Sequence, residues 1–134
     1  MKKSLLPLLV MPLLLTSCAT YHLSTQSLVQ QFADTQPERK YAYEPTLIFI
    51  PFSVNGNSLQ TIKCLDKNGK ETTIVVTNRT SVRITRTDSS RTTFYFNTLL
   101  IKDSTITGSK THFFEAHIKP ILLRDVAKIE LQKD

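Results

Sequence analysis

From Leu59 to its end, this chain alternates apolar and polar residues in short runs, each closed by turn-forming residues. Alternation at period two gives a strand one apolar and one polar face, and it cannot serve a helix of period 3.6. Residues 80–88 show it plainly, with Val82 and Ile84 on one face and Arg83, Thr85 and Thr87 on the other. Residues 91–97 set Phe94 and Phe96 against Thr93 and Tyr95, and Asp88-Ser89-Ser90 between the two runs predicts a tight turn. Residues 59–65 and 71–77 flank Asp66-Lys67-Asn68-Gly69-Lys70, whose Asn-Gly pair predicts a hairpin. Further strands are expected over 46–50, 99–101, 103–107, 112–118 and 126–131. The expected fold is mainly β: a single small antiparallel sheet, or a barrel or sandwich, with one short N-terminal helix.

That helix is expected after residue 24. Ser24 is a good N-cap, Leu28, Val29 and Phe32 share a face, and Pro37 ends the run. Gln26, Gln30 and Gln31 fill its remaining surface, which suits packing on the domain and not burial in a bilayer. Ile62 and Cys64 have the same parity within one strand, so Cys64 is expected as a small core residue.

The N-terminus has a different character. Lys2 and Lys3 precede an apolar run from Leu5 to Leu15, broken by Pro7 and Pro12 and closed by Leu15-Thr16-Ser17-Cys18. A membrane span needs about 20 apolar residues, so the run is too short to cross a bilayer and reads as a cleaved signal. The cysteine directly after small residues resembles the lipobox of bacterial lipoproteins. That resemblance covers residues 1–18 and implies cleavage before Cys18, a diacylglycerol on its thiol and usually a third acyl chain on the new amine. Ala19, where an aspartate would resemble an inner-membrane retention signal, implies the outer membrane. The absence of acidic residues just after Cys18 implies its periplasmic side, with display at the cell surface as the alternative.

On this reading residues 1–17 are a signal peptide, 18–45 a lipidated tether with a short helix, and 46–134 a β-rich domain. Cleavage leaves 117 residues and lowers the formal charge from +6 to +4, enough chain for one domain with a core. Lipid on Cys18 leaves Cys64 with no disulfide partner in the chain. The tail, with an expected strand, a one-turn bend at Arg124-Asp125 and a closing strand, resembles the ending of SH3-like and Sm-like barrels. More loosely, residues 59–131 resemble small uncharacterised envelope lipoproteins of Gram-negative anaerobes, which implies a fold and no activity.

Chemistry-bearing motifs are sparse. His112 and His117 would point to opposite sides of one strand, and with His22 they read as ordinary surface histidines, so neither a metal nor a cofactor is expected. Glu115, Asp125 and Glu130 are the carboxylates available for pairing, but Glu130 alternates outward beside Lys128 and reads as solvated. No nucleophile elbow or phosphate loop occurs, which makes an enzyme the minority expectation, a hydrolase of dispersed residues. Arg79, Arg83, Arg86 and Arg91 surround the Asp88-Ser89-Ser90 turn and are candidates to contact lipid phosphates, an acidic glycan or an acidic protein. The competing reading is a sheet edge blunted by charge. Asn78-Arg79-Thr80 matches an N-glycosylation acceptor that carries little meaning in a bacterium. Asp103-Ser104-Thr105 resembles a short O-glycosylation sequon of exported bacterial proteins, with Ser104 as the acceptor. The expected role is a binding or scaffolding module held to the membrane by lipid, with an envelope protein or anionic polymer as partner and no nucleic acid. A surface adhesion or glycan-handling lipoprotein is the alternative.

Overall fold

The computed structural model describes residues 19–41, 53–112 and 116–133. The chain is mainly β, as the alternation requires. Its larger layer is a six-stranded antiparallel sheet built from β1 (Ala19–Leu23), β4 (Thr61–Leu65), β5 (Glu71–Val75), β6 (Ser81–Arg86), β7 (Arg91–Tyr95) and β11 (Val126–Lys133). The strand order is β5-β4-β1-β11-β6-β7, and the sheet does not close into a barrel. A three-stranded sheet of β8 (Leu100–Lys102), β9 (Thr105–Thr107) and β10 (Ile121–Leu122) forms the smaller layer. The helix α1 (Thr25–Phe32) follows β1, and β2 (Glu38–Tyr41) pairs with β3 (Ser53–Gly56) as a separate ribbon. The strand expected over 46–50 lies outside the described residues.

Register explains the layering. One face of the large sheet carries Leu23, Ile129 and Ile84 in one cross-strand row and Leu131, Val82 and Phe94 in the next. Ile62, Cys64 and Ile74 extend that face onto β4 and β5, and all of these side chains are buried. Leu28 and Phe32 of α1 and Ile106 and Ile121 of the small sheet join the same cluster, with Phe32 meeting Phe96 edge-on at 6.0 Å. Each such side chain contributes about 1.5–3 kcal/mol by leaving water. Gly108 is needed where it stands, since a Cβ there would lie 2.4 Å from the ring of Phe94.

Ser24 caps α1 as expected, its Oγ accepting from Ser27 N at 3.1 Å. The tether expected before it is absent over Ala19–Leu23, which form β1 at the middle of the sheet. β1 pairs with β11 along its whole length and with β4 at His22. Residues on both sides of position 45 therefore share one sheet. Between β7 and β8 a 3-10 turn at Phe96–Thr98 takes the last two residues of the strand expected over 91–97. Asn57 holds that turn, donating through Nδ2 to the carbonyls of Phe96 (2.8 Å) and Leu99 (3.0 Å). The middle of the strand expected over 112–118 lies outside the described residues; at its described end Ile118 N donates to Gly108 O, Lys110 N donates to Ala116 O, and Ser109 bridges His117.

Candidate binding surface

The bend expected at Arg124-Asp125 is a 3-10 turn at Leu123–Asp125, entered from β10 and continued by β11. It lies against the β6–β7 hairpin, where Thr87 N donates to Asp125 O at 2.9 Å. The hairpin turn is closed by Arg86 N donating to Ser90 O and Ser89 N donating to Arg86 O. Ser89 sits in the left-handed region at φ 71°, and Asp88 Oδ1 holds the turn by accepting from Ser90 N (2.9 Å) and Ser90 Oγ (2.6 Å). The Ser90 hydrogen bonds, with Arg86 nearby, lower the pKa of the exposed Asp88 carboxyl.

Arg86 shares the parity of the core residues Val82 and Ile84, yet it is not swallowed by the core. β11 bulges opposite it, the register shifting between Val126 and Lys128, and the side chain reaches across to β7. There Nη1 donates to Thr92 Oγ1 at 2.8 Å and to Ser90 Oγ at 3.4 Å. The guanidinium thus enters the wall of an open cleft of about 480 Å³, shared with Asp88, Thr92, Lys119, Leu122 and Asp125. Nε and Nη2 are not used by these two bonds, so the group retains donors for an anionic oxygen.

The four arginines are separated by the fold. Arg83 points to the polar face of the sheet and is held by Glu130 of the neighbouring strand, Nη2 to Oε2 at 3.0 Å and Nε to Oε1 at 3.3 Å. Arg79 lies before β6, at the opposite end of that strand from Arg86, and Arg91 opens β7; both are exposed. Glu130 corrects its expected solvation. It is only 7% exposed, covered by Arg83, with Lys128 Nζ 3.7 Å from Oε1 and His22 opposite it on β1. The Arg83 hydrogen bond, together with the charges of Arg83, Lys128 and His22, holds its carboxyl below the ordinary value against the opposing effect of burial.

The histidines do not converge. His22 is half-buried on β1, His117 is exposed, and His112 is buried, contrary to the expected surface position. Its ring stacks on Tyr95 with centroids 4.2 Å apart, and Nε2 lies 2.7 Å from Asn97 Oδ1. Asn97 Nδ2 donates to Asn78, so Oδ1 is the acceptor and the neutral ring carries its proton on Nε2. Burial lowers the pKa of His112.

Among the described residues no three His, Cys, Asp or Glu side chains gather as metal ligands. Glu115 lies outside the described residues, and Asp125 lines the cleft, apart from Glu130 on the polar face. Cys64 is buried, and burial, with Asp66 nearby, raises its thiol pKa. Ser104 is exposed in the two-residue turn Asp103-Ser104, both residues at positive φ, which joins β8 to β9. Sequence reasoning found Arg86 but not Lys119 or Asp125, which reach the cleft from the far end of the chain. Compared with family models, curated proteins and solved structures, the chain matches none of them.

Proposed function

We propose that this protein is a lipid-anchored binding module of the bacterial cell envelope, its β domain on the periplasmic side of the outer membrane. The sequence Leu15-Thr16-Ser17-Cys18, behind a short apolar run and two lysines, carries the anchoring part of this reading. The Arg86 cleft supports the binding part. Arg86 and Lys119 suit an anionic group of an envelope protein or polymer, while Asp88 and Asp125 on the same walls favour a ligand that also brings donors.

Photo-crosslinking from position 122, on the cleft wall, in intact envelopes tests the binding part. Arg86→Ala and Lys119→Ala should each weaken capture of the crosslinked partner by about ten- to a hundredfold, the worth of a charge-assisted hydrogen bond of about 1.5–3 kcal/mol. Arg91→Ala should leave capture unchanged. Capture that is indifferent to both cleft substitutions would remove the cleft from the function.

A further inference from the structure

The residue that the lipobox reading acylates is Cys18, and β1 begins at Ala19. No residue therefore separates the lipid attachment point from an interior strand of a six-stranded sheet, flanked by β4 and β11. Consecutive Cα atoms are about 3.8 Å apart, so a lipid on Cys18 brings the N-terminal end of β1 to the headgroups with no slack. We infer that the domain docks flush on its own bilayer through the surface around Ala19, an inference that rests on the lipoprotein reading proposed above.

The topology identifies that surface. Lys133 of β11 is the cross-strand partner of Ala19. On the other side β4 runs antiparallel to β1 and pairs Leu65 with His22, so the turn after Leu65 projects toward the Ala19 end. Lys67 and Lys70 stand exposed in that turn, and Leu65, 40% exposed, leads into it. Three long amines and an exposed leucine suit the headgroup zone, where lysine stems lie along apolar material and their ends stay hydrated. Asp66 and Glu71 are interleaved with the lysines, so position more than net charge selects the bilayer as occupant. Asp66 is already engaged, its Oδ1 accepting from Asn68 N and Lys70 N.

The same geometry orients the far end. β11 pairs with Ala19 at Lys133 and with Arg86 at Val126. At about 3.3 Å per residue, the strand sets the Arg86 cleft roughly 20 Å from the anchored end. The cleft then faces away from the anchoring leaflet and toward partners in the surrounding space. Phosphates of that same leaflet are out of its reach.

The test is amine footprinting of the full lipidated protein, in vesicles of phosphatidylethanolamine and phosphatidylglycerol and in detergent micelles, with a membrane-impermeant reagent. Lys67, Lys70 and Lys133 should label several-fold more slowly in vesicles, while Lys119 and Lys128 label alike in both. A flexible Gly-Ser spacer of about ten residues between Cys18 and Ala19, which holds its ends roughly 17 Å apart, should abolish that protection. Equal labelling of all five lysines, with lipid on Cys18 seen in the peptide masses, overturns flush docking and leaves the anchor intact. An unmodified Cys18 in the same masses overturns both.

Discussion

Glu130 and His112 make the fold sensitive to acid in two separate windows. Burial keeps the folded-state pKa of His112 below the ordinary 6.5. As pH falls below that value the unfolded chain gains a proton that the folded chain resists, and stability declines. Glu130 is depressed by its partners, so its contribution is complete above the ordinary 4.5 and is lost as pH falls through the lower folded value. A single uncompensated proton sets a slope of at most about 1.4 kcal/mol per pH unit. Urea unfolding followed across pH should show both declines. His112→Gln should flatten the upper one and Glu130→Gln the lower; a His112→Gln protein with the parent's slope between about pH 6.5 and 5 would refute the assignment. The burial of Ile62 and Cys64 was legible because parity within one strand decides it. That of Glu130 was not, since it depends on Arg83 and His22 brought alongside by two other strands.

The elements most legible in the sequence are those with an uninterrupted local pattern. β6, β7 and the β4–β5 hairpin fall where alternation and turn residues place them. The turn types differ from the simplest reading. At Asn68-Gly69 only Gly69 adopts positive φ, 76°, and the loop closes through Asp66 N donating to Lys70 O; Asp103-Ser104 forms the two-residue turn with both residues at positive φ. β1 was missed because Tyr21 and Leu23 give too short an alternation to stand out beside the anchor motif. What fixes it as a strand is β11, more than a hundred residues later in the chain.

The junction of β1 with β4 depends on one side chain of the helix. β1 ends at Leu23 while β4 continues past it, leaving the backbone of Lys63 without a strand partner on that side. Gln31 of α1 substitutes for one, its Oε1 accepting from Lys63 N at 2.8 Å and its Nε2 donating to Lys63 O at 2.9 Å. Gln31→Ala should cost about 1–2 kcal/mol, the net worth of two partly hydrated hydrogen bonds, and speed amide exchange at Lys63. Unchanged exchange at Lys63 would mean that the helix does not guard that edge.

At the scale of the whole molecule, the described residues form one fold with two ends set by one strand. The N-terminus of β1, beside Lys133, is the end a lipid on Cys18 would hold. The Arg86 cleft lies at the other end of β11. The sequence grouped four arginines by their proximity along the chain, but strand geometry sends Arg79 to one end and Arg86 and Arg91 to the other. It also ties Arg83 into an ion pair with Glu130. Lys119 and Asp125 could not be assigned to the cleft from sequence, because they flank β10, which pairing with β9 and the Thr87–Asp125 hydrogen bond bring beside the β6–β7 hairpin.

Mass spectrometry of the protein extracted from its native membrane tests the anchor on which this arrangement depends. The expected species begins at Cys18, lacks residues 1–17 and carries a thioether-linked diacylglycerol on that cysteine. A chain that retains Met1 and a free thiol at Cys18 would contradict the account.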